Sequence, residues 1–174
     1  MGRKTKRTKL KADKILYTME TITVIDATNN AQINVDKVLY TGKVKTSGGR
    51  EGASKSTDGR LDINLSTPGG PGSGTNPEQL FAAGWSACFI GAMRRNAAGL
   101  QIAIPNDSAV EAEIDLATTG EGSNLAFSLQ ARLHVYLPGL TPEQANTVVT
   151  AAHQTCPYSK ATRGNINVHI SVSV

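Results

Sequence analysis

The chain of 174 residues holds only two cysteines, Cys88 and Cys156, and no Cys-x-x-Cys pair. That excludes a disulfide-rich scaffold and a dithiol redox motif. A chain of this length buries enough apolar surface to fold as one domain without cross-links, so cysteine chemistry here is read as functional. Reduced thiols suit a reducing compartment. No apolar run approaches the roughly 20 residues that span a bilayer, and the N-terminus lacks the apolar stretch of a secretory signal. A transit peptide would be rich in Arg and Ser, whereas this start is rich in Lys and Thr, so the expected location is cytoplasmic.

Positive charge is scarce over most of the chain. The formal net charge is +4, but MGRKTKRTKLKADK at the start carries seven of the 18 Lys and Arg and one acid. The remainder is mildly acidic, and the basicity belongs to a tail. No aromatic stands among those charges to stack on bases, which favours a solvated, mobile tail over a nucleic-acid arm.

Period-two alternation marks strands with one buried face. It aligns Leu61, Ile63 and Leu65; Val110, Ala112, Ile114 and Leu116; Phe127 through Leu137 at every second residue; and Ile166 through Val174 likewise. These read as antiparallel strands. Asn76-Pro77-Glu78-Gln79 and Thr141-Pro142-Glu143-Gln144 each supply a cap, a proline at the first helical position and a Gln that can reach back to the cap. One helix is expected from Pro77 to about Ala98, ending near Gly99, and a second from Pro142 to about Gln154, stopped by Pro157. The fold class is α+β. STPGGPGSGTN, 66 to 76, lacks the Lys of a phosphate loop and reads as a mobile linker. KILYT at 14 to 18 and KVLYT at 37 to 41 are too short a similarity to make a repeat, and mark at most a duplicated strand start.

The first helix is apolar on nearly every side, LFAAGWSACFIGAM, which predicts protein around most of it. Taken alone, Cys88 there reads first as a core hydrophobe. Three features point to chemistry instead: Cys156 at the end of the second helix, where a side chain is freer to move, Arg50 in TSGGREG between glycines that read as flexible hinges, able to swing it onto or away from a site, and Glu78 in the first turn of an apolar helix. A free thiol of pKa about 8.5 is only ~3 % thiolate at pH 7, and lowering it to about 6 raises that fraction roughly thirty-fold. Arginine supplies a permanent charge, and a buried guanidinium needs a carboxylate such as Glu78. Glu78 also has the ordinary reading of an acid at a helix N-terminus. Ten helical residues put Glu78 about 15 Å from Cys88. Either the helix bends or the glutamate comes from another copy of the chain; the favoured expectation is a homodimer with antiparallel first helices, Glu78 of one subunit approaching the Arg50 and Cys88 of the other.

KVLYT, GGREG, STDGR, LDINLSTPGGPGSGTNPEQLFAAGWSACFIGAM and AHQTCPYSKATRGNI together resemble the organic hydroperoxide resistance proteins of the osmotically inducible protein C superfamily. The resemblance covers 37 to 174 and leaves 1 to 36 as a basic extension. It implies an OsmC-like fold, antiparallel sheets around two central helices in an intertwined homodimer. It implies a thiol-dependent peroxidase that reduces alkyl and fatty-acid hydroperoxides, with no bound cofactor and no metal. Electrons would come from lipoyl groups, on a lipoylated protein, or from another dithiol. Carried over by position, Cys88 is the peroxidatic cysteine, Cys156 the resolving one, Arg50 the activating arginine and Glu78 its partner. Phe81, Trp85, Phe89 and Met93 would form the apolar wall for the organic tail, each with an ordinary core-packing reading beside it. Trp85 stands where the family more often has tyrosine. Three rival readings are a metal site on His153 and Cys156, a non-catalytic nucleic-acid-binding protein with structural cysteines, and a thiol hydrolase with His153 as base. The first has too few ligands, and the last places its base near the wrong cysteine; otherwise His153 reads as a helix C-terminal residue meeting the dipole.

Overall fold

A computed structural model describes residues 34 to 174; the tail and the first KILYT lie outside the described residues. Contacts divide the chain into Met1–Thr41 and Gly42–Val174. In the first unit, residues 34 to 41 have no regular secondary structure, so KVLYT is not part of a strand within this chain.

The second unit begins with a meander, β1 (Val44–Ser47), β2 (Ala53–Ser56) and β3 (Asp62–Asn64), antiparallel in the order β1-β2-β3. The chain then enters α1 (Pro77–Leu100) and a long hairpin, β4 (Ala109–Thr119) and β5 (Ala126–Tyr136). It ends through α2 (Pro142–Thr155), α3 (Pro157–Thr162) and β6 (Asn167–Ser173). In the second sheet, ordered β4-β5-β6, β4 and β5 are antiparallel whereas β5 and β6 run parallel, Ala131 opposite Val168. The expectation of antiparallel strands throughout is corrected here. Alternation reports which face is buried, not strand direction, and α2 with α3 supplies the crossover that parallel neighbours require.

The helix starts form for local reasons. The Asn76 side chain accepts from the Gln79 backbone N–H at 2.9 Å, and Thr141 accepts from Gln144 at 3.2 Å while Gln144 bonds back to Thr141 N–H at 3.0 Å. The reciprocal bond is absent at the first cap, because Gln79 Oε1 accepts instead from the Thr75 hydroxyl at 2.7 Å. α1 runs one residue past Gly99 and closes on Gln101 in the left-handed region. Pro157 ends α2 as expected but also opens α3, which the sequence reading missed. Proline breaks the helix behind it and suits the first position of the helix ahead.

The core lies between the helices and the β4-β5-β6 sheet. α1 buries Trp85, Phe89, Met93 and Ala97, one residue per turn, in one cluster with Leu133 and Val135 of β5 and Val148 and Ala152 of α2. Each fully buried large side chain contributes about 1.5–3 kcal/mol. Only that seam of α1 is enclosed in one chain: Ala83, Ala87 and Gly91 remain exposed on a helix expected to be surrounded. The hairpin alternates as expected through Val110, Ala112 and Ile114, but toward its tip the inner face is uncovered and Leu116 and Phe127 are exposed.

Segment 66 to 76 is not a free linker. Ser66 N–H bonds to Thr75 O at 2.8 Å and Thr75 N–H to Asn64 O at 3.0 Å, so the loop is pinched at its base. At that base a Cβ on Gly74 would stand 2.7 Å from the Asn64 carbonyl oxygen, so only glycine fits.

Candidate functional site

α1 and the α2–α3 junction bring the two cysteines together. Cys88 projects from the middle of α1, half-buried, and Cys156 sits between α2 and α3, fully buried. Their sulfurs are 3.4 Å apart and unbonded. A disulfide needs about 2.05 Å, so a closure of roughly 1.4 Å would join them. Cys156 is not the loose helix end that was expected. Its N–H bonds to Ala152 O at 2.8 Å and its carbonyl accepts from Lys160 N–H at 2.9 Å, which ties it into both helices.

Burial pushes the Cys88 thiol up from its ordinary pKa, and the neighbouring Cys156 thiol pushes the same way. The backbone N–H of Tyr158, at the start of α3, acts against them by favouring the thiolate. Arg50 is not among the groups acting on Cys88 in this chain.

Arg50 occupies a 3-10 turn, Gly49–Glu51, joining β1 to β2. The hinge expected of the flanking glycines is instead a tight turn: Gly48 has φ 72°, and a Cβ on Gly52 would collide with Ser47 O. The guanidinium is docked on Glu78 by a paired contact, Nη1 to Oε2 at 2.9 Å and Nη2 to Oε1 at 2.7 Å. The pair forms within one chain, which overturns the expectation that Glu78 meets the Arg50 of a partner. The meander carries Arg50 back to the start of α1, so no second copy is needed to join them. The guanidinium holds the Glu78 carboxyl below the usual carboxylate range, partly offset by desolvation. Arg50 is itself raised above its ordinary value, first by that hydrogen bond.

Two cavities follow from this arrangement. One of about 590 Å³ has Arg50 and Glu78 at its edge and Pro68, Ala82, Ile114 and Leu116 among its apolar walls. The other, about 190 Å³, is lined by Cys88 with Gly91, Ala92, Arg95, Thr155 and Pro157. Neither is lined by the residues expected to receive an organic tail. Trp85, Phe89 and Met93 are fully buried core residues, since they lie on the seam of α1 that faces the interior. Phe81 is partly buried against Trp85 and Tyr158, with ring centroids 5.6 and 5.8 Å away. Alternation in β4 already marked Ile114 and Leu116 as apolar, but nothing local placed them beside Arg50.

Tyr158 and Ser159, which sequence reasoning passed over, seat α3 on α1. The Trp85 indole N–H donates to the Ser159 hydroxyl at 3.1 Å in the interior. His153 lies in the last turn of α2 with its Nδ1 unpartnered. Burial, then the charge of Arg163, lowers its pKa, which works against the cation that would meet the helix dipole. Among the described residues no group of three His, Cys, Asp or Glu could hold a metal ion, and no helix is long and apolar enough to cross a membrane.

The OsmC-like protein family model matches residues 70–171. An organic hydroperoxide resistance protein of Xanthomonas axonopodis pv. citri is 44% identical over 142 residues, covering 79% of this chain and 97% of that protein. Among solved structures, an organic hydroperoxide resistance protein from Legionella pneumophila is 45% identical, with TM-score 0.73 over 79% of this chain and 100% of that one. OhrB of Bacillus subtilis, likewise an organic hydroperoxide resistance protein, gives 42% and 0.71, covering 78% of this chain and 100% of that one. With its paired thiols, its two sheets and helices, and relatives that match almost from end to end, the chain belongs to the OsmC-like family, in the organic hydroperoxide resistance branch.

Proposed function

We propose that this protein is a thiol-dependent peroxidase that reduces organic hydroperoxides to alcohols and so protects against oxidative stress. The observation that carries this reading is the 3.4 Å separation of two free thiols 68 residues apart in the chain, one reachable and one enclosed. The Cys88 thiolate attacks the outer peroxide oxygen; the O–O bond breaks, Cys88 becomes a sulfenic acid, and the alkoxide takes a proton to leave as the alcohol. The Cys156 thiol then attacks that sulfur, forming the disulfide and releasing water. An external dithiol, lipoyl groups in this reading, restores both thiols by exchange and leaves as its own disulfide.

The working unit is a homodimer in which the docked Arg50–Glu78 pair of one chain stands over the Cys88 of the other. The exposed Ala83, Ala87 and Gly91 of α1 support it, since small residues let helices approach closely. So does a meander whose β1 is exposed at every residue. There the guanidinium stabilises the thiolate and the departing alkoxide, while the apolar cavity beside it takes the organic tail. The compartment in this reading is the cytoplasm. Intact-mass measurement after one equivalent of an alkyl hydroperoxide tests the chemistry. The expected result is loss of two hydrogens and a peptide linking Cys88 to Cys156; an unchanged mass with both thiols free rejects it.

A further inference from the structure

α3 is six residues long, yet it holds the chain that follows Cys156 in place, and it does so through one side chain lying over a glycine. Tyr158 sets its ring against α1 at Gly84, one helical turn before Cys88. A Cβ built on Gly84 would stand 2.8 Å from the Tyr158 hydroxyl oxygen and 3.2 Å from Cζ. The ring has little freedom to yield, because Phe81 packs on it at 5.8 Å between centroids and the Trp85–Ser159 bond fixes the next residue. Behind it, the Thr162 hydroxyl donates to the Tyr158 carbonyl at 3.0 Å.

We propose that Gly84 is a positioning residue: its missing side chain lets Tyr158 seat α3 so that Cys156 stands within coupling distance of Cys88. Pro157 alone separates Cys156 from Tyr158, so a displacement of the ring that shifts the start of α3 also shifts the buried sulfur. The same displacement moves the Tyr158 N–H that faces Cys88. Helix propensity argues the other way at this position. A mid-helix glycine with no such role would gain stability on becoming alanine, with no change in thiol chemistry. The two accounts therefore differ in sign as well as in readout.

This inference rests on the peroxidase reading for its meaning in turnover, but disulfide formation can be driven without peroxide. Diamide, a two-electron azo oxidant, removes two electrons and two protons from the thiol pair and becomes the hydrazine. The rate of Cys88–Cys156 bond formation by diamide is measured for the wild-type protein, Gly84→Ala, and Gly84→Ala with Tyr158→Phe. Gly84→Ala is expected to slow coupling about ten-fold, converting to about 1.4 kcal/mol in the barrier. Removing the hydroxyl relieves the closest approach but leaves the 3.2 Å one, so the double variant recovers most of the rate. Tyr158→Leu with Gly84 intact provides a second route should Gly84→Ala fold poorly, and is expected to be slow as well. Wild-type coupling rates in Gly84→Ala or in Tyr158→Leu, or no recovery in the double variant, would overturn the proposal. Failure of the peroxidase reading looks different: diamide couples the wild-type thiols while an alkyl hydroperoxide does not.

Discussion

The helices and the β4-β5-β6 sheet enclose a core of large apolar side chains, whereas the β1-β2-β3 meander contributes no residue to it. What holds the meander together is its ladder and polar pairs, Thr46 with Ser54 at 2.8 Å and Lys55 with Asp62 at 2.6 Å. A small sheet that puts no side chain into the apolar core has little independent stability. The candidate site divides along the same line. Both thiols belong to the region with the core, while Arg50 rides on the region without one. Coupling two sulfurs requires them to be held close, and the packed region brings them to 3.4 Å. A charge acts over several ångströms and can arrive on a lighter element, provided that element has a surface to rest on.

The division makes the thiol pair the place of largest effect. Cys88→Ser is expected to abolish peroxide consumption, while Cys156→Ser consumes about one equivalent per chain and, without added thiol, stops as a sulfenic acid, one oxygen heavier. Peroxide consumption by Cys88→Ser, or loss of two hydrogens in place of the added oxygen in Cys156→Ser on intact mass, would contradict the roles assigned. The meander's part is sharpened by mixing two inactive variants, Arg50→Ala and Cys88→Ser. If Arg50 serves the partner's Cys88, half the statistical dimers are mixed and carry one intact site, so about a quarter of the wild-type activity returns. If Arg50 served its own chain, mixing would restore nothing.

Next in size is the contrast in packing. Met93→Ala, at a fully buried position, should lower stability by about 2–5 kcal/mol at any protein concentration. Val44→Ala, at a position 53% exposed in the single chain, should cost little except where dilution also matters. Denaturant titration at two concentrations separates the cases. The smallest effect is on pH. Glu78 has a lowered pKa, so its pairing contributes stability above the ordinary carboxylate range and loses it as pH falls through the lowered value. Glu78→Gln should flatten stability against pH over that acid window alone, and an unchanged slope would show that the pair carries no linkage.

Much of this was legible in order along the chain. Two capped prolines announced both long helices, and alternation named the inward faces of β4 and β5. The quoted motifs carried the family, and they singled out two pairs that the structure brings into contact, Arg50 with Glu78 and Cys88 with Cys156. Illegible were the direction of β6, the existence of α3 and the fate of the apolar side chains on α1. Pro157 looks the same whether it ends one helix or begins another. Phe89 and Met93 look the same whether they line a pocket or fill a core, because hydrophobicity reports removal from water and not what does the covering.

The sequence by itself determined the elements that depend on neighbours a few residues away: the helix caps and the strand faces. Only the tertiary structure decided that Arg50 pairs with Glu78 of its own chain, that Tyr158 lies on Gly84, and that two sulfurs meet at 3.4 Å. Those contacts join positions far apart in the chain. Their distances follow from how whole helices pack, which no local pattern of residues encodes.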